Sequence, residues 1–273
     1  MAHAFLDEPY GPVEEAFQSR LVAPDTWLVT GAGCESYLVV GAKRAMMVDT
    51  GMSRRDLRAY VARLTDLPVS VVNTHGHFDH TGGNGWFEEV FLHPKAVALA
   101  KQAFGNPSDF PLDYAVTTVA EGHVFDLGGR TLEVLEIPAH APSSIALLDR
   151  RERLLFPGDE VESGQVLLML NPEATDTVAR HRGNMRRLLG LLPAFDRLCP
   201  SHNGSPILAG HYLQAFLEND ERVISGIEGS TRLASPSFPY GGKGRFPMEE
   251  NPHWRRSEWK GTSIVYDKQQ FGR

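Results

Sequence analysis

"VVNTHGHFDHTGGN", residues 71–84, places His75, His77, Asp79 and His80 within six positions, directly after a β-branched run. Imidazole and carboxylate are the usual protein ligands of zinc, and several unpaired polar groups held this close are costly without a cation to satisfy them. In extended backbone residues 75, 77 and 79 point to one side, and a turn between Gly76 and His80 folds the fourth group round to join them. Such a cluster suits two metal ions better than one; the plain alternative is a solvated polar loop.

Working outward, "TWLVT" (26–30), "SYLVV" (36–40) and "RAMMVDT" (44–50) are short apolar runs separated by glycine-containing turns, which predicts an antiparallel meander. "SRRDLRAYVARL" (53–64) spaces Leu57, Tyr60, Val61 and Leu64 at helical intervals behind a capping Ser53, and "VSVVN" (69–73) returns to strand. The histidine motif is therefore the loop that leaves a strand. Beyond it the pattern predicts a strand at "EVFLH", a helix at "PKAVALAKQAF" with Pro in its first turn, and a Pro-rich aromatic loop, "NPSDFPLDY", placed to act as a lid. "HVFDLGGRTLEVLEIP" and "SIALLDRRERLLFPGD" read as two hairpins, and "TVARHRGNMRRLLGLL" as an amphipathic helix. From residue 230 periodicity is lost among Pro, Gly and aromatics. The expected organisation is a metal-binding domain over residues 1–229 and an irregular tail over 230–273, packed on that domain or on a partner subunit, so a homodimer stays open.

Composition limits the function classes. A chain of 273 residues, 42% of them hydrophobic, can bury one large core. Its formal net charge of -7 argues against a nucleic-acid or anionic-membrane surface, so attraction for an anionic substrate must come from a local site. The N-terminus lacks the basic-then-apolar order of a signal peptide and no run has the length of a membrane span, which gives a soluble cytoplasmic protein as the expectation. Cys34 and Cys199 form no C-x-x-C pair and read as reduced, buried thiols.

Two metals need ligands from other elements, and three stand at predicted strand ends, where layered α/β proteins assemble sites. His140 follows "LEVLEIPA", Asp159 follows "RLLFPG" and His202 follows "FDRLCPS". Taken singly, each histidine could be an ordinary hydrogen-bonded one, and Asp159 a turn residue.

Taken together, "MVDTG", "THGHFDHTGGN", "IPAHAPSS", "FPGDE" and "CPSHNG" resemble, in order, the motifs of the metallo-β-lactamase superfamily, over roughly residues 25–227. The resemblance implies a four-layer αββα sandwich of the α/β class, with the site at the edge where the two sheets meet. It also implies that His75, His77 and His140 hold one metal, that Asp79, His80 and His202 hold the second, and that Asp159 bridges them. Asp49 resembles the family's buried aspartate that orients ligand imidazoles, although it also reads as a turn residue before Gly51. Two departures are visible: Ala139 and Ala141 flank His140 where the family carries Gly and Thr, which removes a hydroxyl that Ser143 and Ser144 could replace. The presence of both His80 and Asp159 separates this chain from true β-lactamases, which generally lack one or the other.

Two zinc ions would leave the site cationic after Asp79, Asp159 and a bridging hydroxide are counted, and ions roughly 3.5 to 4 Å apart lower the pKa of bound water to about 7. The expected function is dinuclear metal-dependent hydrolysis of a small ester, thioester or lactone, similar to the glyoxalase II and lactonase branches, with iron or manganese as alternatives to zinc. Asp79 is the expected catalytic base. Phosphodiester hydrolysis on the same site is one alternative, and a mononuclear-iron persulfide dioxygenase using His75, His140 and Asp159 is another. Substrate choice is expected from the 104–118 loop, the segment "VESGQVLLMLNPEA" and the tail. "QVLLML" reads as a buried strand, a pocket wall or part of a subunit contact. Lys243, Arg245, Arg255, Arg256 and Lys260 read as solvated charges before substrate contacts, and Tyr240, Trp254 and Trp259 as packing anchors.

Overall fold

Period-two alternation along the first strands decides how the layers stack. The computed structural model describes residues 17–103, 108–171, 175–227, 229 and 252–271. Strands β1 (Gln18–Ala23), β2 (Thr26–Thr30), β3 (Ser36–Val40), β4 (Ala45–Val48), β5 (Val69–Val72), β6 (Glu89–Leu92) and β7 (Ala115–Thr118) form one sheet in chain order. The pairs from β1 to β4 are antiparallel and those from β4 to β7 parallel. The second sheet contains β8 (Val124–Asp126), β9 (Thr131–Glu136), β10 (Ile145–Asp149), β11 (Leu154–Gly158), β13 (Arg197–Pro200) and β14 (Ile207–Leu208), in the order β14-β13-β11-β10-β9-β8. The expected meander and both expected hairpins, β8–β9 and β10–β11, are present.

Leu28, Tyr37, Val39, Met46, Val48 and Val72 face the second sheet and meet Leu132, Val134, Leu147, Leu154 and Phe156. Their neighbours Val29, Leu38, Met47 and Val71 face outward onto helices α1 (Leu57–Val61) and α3 (Val97–Ala100). The far face of the second sheet offers Leu135, Ala146, Leu148 and Leu155 to α4 (Thr177–Gly190) and α5 (Ala209–Ile224). Because successive side chains of a strand point to opposite faces, strands apolar on both sides must be covered on both, and helix–sheet–sheet–helix is the result. This is the expected αββα sandwich.

The helices of the first outer layer are shorter than the apolar spacing predicts. The cap of α1 is Asp56, which accepts from the Ala59 amide at 2.9 Å, rather than Ser53. Residues 94–96 form a 3-10 turn before α3, so the helix expected over "PKAVALAKQAF" is broken into two short pieces. The tail carries regular structure: β15 (Trp254–Trp259) and β16 (Thr262–Asp267) form an antiparallel hairpin, and β16 pairs in parallel with β12 (Gln165–Leu167). "QVLLML" is thus a short strand followed by a 3-10 turn, with Val166, Leu168 and Met169 buried. The hairpin lies on α5, where Ser257 and Asn219 exchange bonds of 2.6 and 3.0 Å and Trp259 donates to Glu218 at 2.7 Å. Arg256 pairs with Glu258 and Lys260 with Glu218, while Lys243, Arg245 and Tyr240 lie outside the described residues. No helix among the described residues is long and apolar enough to cross a membrane.

Candidate metal centre

All seven candidate ligands converge where strands of both sheets end. β5 delivers His75 and His77; α2 (Phe78–Thr81) delivers Asp79 and His80. The motif does not stay extended as far as Asp79, which corrects the expectation from sequence: His77 is the N-terminal cap of a single helical turn, and it is the helical backbone that swings Asp79 and His80 inward. His140 follows β9, Asp159 follows β11 and His202 follows β13. Gly158, at φ +58°, is needed for the close approach of the two sheets here, because a Cβ at that position would sit 2.6 Å from the Thr74 hydroxyl.

The donor atoms gather as two adjoining trios, His75–His77–His140 and Asp79–His80–His202, and within each trio one ligand atom per residue lies within 4.8 Å of the others. Asp159 touches both: its carboxylate is 3.6 Å from His140 Nε2, 3.3 Å from His80 Nε2 and 3.6 Å from His202 Nε2. His77 Nδ1 is 3.0 Å from both His75 Nε2 and His140 Nε2.

The opposite ring nitrogens are tied outward. His75 Nδ1 meets the Thr74 hydroxyl at 3.1 Å, His80 Nδ1 meets Asp49 at 2.9 Å, and His140 Nδ1 meets the Leu167 carbonyl at 3.0 Å. In a neutral ring a donating Nδ1 leaves Nε2 as a bare lone pair, so the Thr74 and Leu167 contacts turn the acceptor atoms of His75 and His140 toward the centre. Asp49 is the anchor of this arrangement. Fully buried at φ +58°, it accepts from the Thr74 amide and hydroxyl at 2.8 Å each, from His80, and from the Ser201 hydroxyl at 3.0 Å. It joins β4, β5 and β13 behind the histidines, well beyond what a turn residue would do.

Electrostatics sorts the imidazoles into two groups. Burial lowers the pKa of His75, His77 and His140, the last to about 3, with the neighbouring imidazoles lowering His75 and His140 further, so this trio is neutral at pH 7. Burial acts in the same direction on His80 and His202, but the carboxylates of Asp159 and Asp79 outweigh it, and His202 rises to about 9. Burial would raise Asp79 and Asp159, yet His80 and His202 hold both below the ordinary carboxylate range. The chemistry of this donor set fits metal ions. Beyond their own 3.3 Å approach, His80 Nε2 and Asp159 Oδ1 are buried without a hydrogen-bond partner among the described residues, and His77 Nδ1 crowds to 3.0 Å from the Nε2 atoms of both His75 and His140, a gathering of donor atoms that a cation would satisfy.

Sequence reasoning missed two nearby acids. Glu160 Oε1 accepts from the Ala139 and His140 amides at 2.9 and 2.7 Å and so fixes the loop that carries His140; burial pushes this carboxyl up to about 7. Glu162 lies beside Asp159 and His202 and accepts from the Asn203 side chain; burial and the Asp159 charge push it up to about 8. The signal available was their place in "FPGDEVES", directly after a candidate ligand. Ser144 accepts from the Ala141 amide at 3.2 Å and bonds Glu160, so a hydroxyl does occupy the region left bare by Ala141. In the 104–118 loop the described part sets Phe110 edge-on to Phe78, 4.9 Å away, and Asp109 3.6 Å from Arg54; residues 104–107 lie outside the described ones.

A family model described as the metallo-beta-lactamase superfamily matches residues 29–202, which contain every candidate ligand. The chain belongs to the metallo-β-lactamase superfamily. Among curated superfamily relatives, "Acyl-coenzyme A thioesterase MBLAC2" of Gallus gallus is 31% identical over half of this chain and 61% of its own length. The Homo sapiens protein of the same name is 28% identical, covering 63% of this chain and 74% of its own. "Atrochrysone carboxyl ACP thioesterase" of Aspergillus chevalieri is 30% identical, covering 72% of this chain and 61% of its own. The chain thus spans about three fifths of the Gallus gallus and Aspergillus chevalieri relatives it matches. Among solved structures, a metallo-beta-lactamase from Pontibacter korlensis superimposes with a TM-score of 0.58 at 20% identity, over 76% of this chain and 99% of that one, a likeness of fold.

Proposed function

We propose that this protein is a dinuclear metal-dependent hydrolase of thioesters. The observation that carries the reading is the pair of trios joined by Asp159, a donor set with enough ligand atoms for two cations. Relatives named as thioesterases of acyl-coenzyme A and of an acyl carrier protein favour the thioester over the ester, lactone or phosphodiester. His75, His77 and His140 would hold one ion, Asp79, His80 and His202 the other, with Asp159 shared. Two such ions would supply a hydroxide at neutral pH, a polarised carbonyl and a seat for the leaving thiolate. The protein's part is to fix the ring directions through Asp49, Thr74 and Leu167, and to keep the donors out of bulk water. Asp79, whose side chain is 34% exposed, would take the proton from the attacking water.

The test is metal content and turnover on one preparation. Protein purified without added metal should contain about two zinc ions per chain by mass spectrometry and should hydrolyse acyl-coenzyme A thioesters in preference to lactones and phosphodiesters. Chelation should abolish the activity and added zinc restore it. One iron per chain with no hydrolysis would overturn the reading and direct the search to oxygen-dependent sulfur chemistry.

The base role of Asp79 has its own test. Asp79→Asn keeps an oxygen for the metal but loses the proton acceptor, and kcat is expected to fall by about 10² to 10⁴ with KM little changed. A variant with both metals and full turnover would remove the assignment.

A further inference from the structure

The C-terminal hairpin lies past the residues matched by the superfamily, 29–202, yet two separate routes connect it to His140. The first is a strand pairing. β16 lies parallel to β12 with Ser263, Ile264 and Val265 opposite Gln165, Val166 and Leu167, and the Leu167 carbonyl is the atom that meets His140 Nδ1 at 3.0 Å. Ile264 and Val265 are fully buried against this segment, Ile264 in the core with Val166 and Leu168 and Val265 against Met169. The second route uses side chains. Gln270, in the 3-10 turn after β16, donates to the Asn171 carbonyl at 3.0 Å and accepts from Thr177 at 3.2 Å. The Asn171 amide in turn donates at 2.9 Å to the carbonyl of Ala139, the residue before His140. One route sets the direction of the ring and the other the backbone that carries it.

We infer that the C-terminal hairpin and its 3-10 turn, residues 254–270, are a positioning element of the metal centre, holding His140 in the tautomer that presents Nε2 to the first trio. The physical reason is that the hydrogen bond made by one ring nitrogen sets which of the two carries the proton, and an acceptor placed at Nδ1 holds it there. Without β16, the β12 segment is a three-residue strand with no other strand pairing among the described residues, and its Leu167 carbonyl has little to keep it in place. The inference rests on the proposed metal centre, and Gln270 is a positioning residue, distant from the reacting atoms.

Three full-length proteins decide it: the natural chain, Gln270→Ala and Gln269→Ala. Gln269 belongs to the same turn, but its side chain meets His253 at 3.0 Å and lies off both routes. Ring-nitrogen NMR of the metal-free natural chain near pH 7 should find His140 protonated at Nδ1. By competition with a chelator, Gln270→Ala should bind zinc about tenfold more weakly than the natural chain, the effect expected for a lost outer partner. Gln269→Ala should keep natural affinity, with the two metal-free variants melting within a few degrees of each other. His140 protonated at Nε2, or equal zinc affinity in the two variants, overturns the inference. Should Gln270→Ala fail to fold, Asn171→Leu, which removes the donor to Ala139 and conserves size, takes its place with the same expected and overturning results. No substrate enters the comparison, so a chain that holds zinc but cleaves no thioester overturns the proposed function and leaves this inference standing. If the chain holds no zinc, the His140 tautomer alone decides: a proton at Nδ1 supports the inference and a proton at Nε2 overturns it.

Discussion

Asp159→Asn is expected to reduce hydrolysis by about a thousandfold, a loss of roughly 4 kcal/mol of transition-state stabilisation at 1.36 kcal/mol per tenfold. Of the seven donors, Asp159 is the one whose carboxylate reaches both trios, at 3.6 Å from His140 on one side and 3.3 Å and 3.6 Å from His80 and His202 on the other. Its replacement removes the negative charge that lies between the two trios, so in the proposed dinuclear centre the cost would fall on both ions, where loss of a terminal histidine would fall on one. Metal content should drop from about two per chain to one or none by mass spectrometry, and added zinc should not restore turnover. The folded chain should persist, because the Asp159 side chain makes no bond to backbone among the described residues; far-ultraviolet circular dichroism is expected to be unchanged. Two retained metals with natural turnover would show that Asp159 bridges nothing.

The candidate site was legible in the sequence because its candidate ligands report themselves locally. His75, His77, Asp79 and His80 stand within six positions, and His140, Asp159 and His202 each stand directly past an apolar run that must be a strand. The sandwich was readable for a similar reason: doubly apolar runs such as Tyr37–Leu38–Val39 and Met46–Met47–Val48 demand cover on both faces. What stayed hidden depends on partners remote in the chain. The parallel pairing of Val166 with Ile264 joins segments about a hundred residues apart, and no local periodicity announces it. The turn of helix at Phe78–Thr81 was hidden too, since four residues are too few for a helical repeat to show. At Leu57–Val61 the reverse happened: the apolar spacing continues to Leu64, but the α-helix stops at Val61 and its continuation through Leu64 is a turn.

Arg130 belongs to the hidden group, and its substitution should have the largest effect on stability. Only 2% exposed, it donates through Nε to Asp149 at 2.8 Å, through Nη2 to the Thr26 hydroxyl at 2.6 Å and through Nη1 to the Asp25 carbonyl at 2.9 Å, so one guanidinium ties the β9–β10 pair to the start of β2. Asp149 is fully buried, and without its partner it becomes an uncompensated charge in the core. Arg130→Met is therefore expected to cost about 3 to 5 kcal/mol in urea denaturation of the metal-free chain. The double variant Arg130→Met/Asp149→Leu should recover most of that loss, since replacing a buried ion pair by apolar residues of similar volume is often close to neutral. Recovery should stop short of complete, because Asp149 also accepts from the Arg151 and Glu152 amides at 3.0 and 3.1 Å. A single variant within about 1 kcal/mol of the natural chain, or a double variant as unstable as the single, would refute the account. The same substitution also separates stability from chemistry. β9 begins one residue after Arg130 and leads into the loop of His140, while Val40, whose carbonyl Arg130 also reaches, lies one turn before β4, the strand that Asp49 follows. The lock and the metal centre thus occupy opposite ends of shared strands, and at temperatures where Arg130→Met is still folded its zinc affinity should equal that of the natural chain, a result that competition with a chelator reads directly.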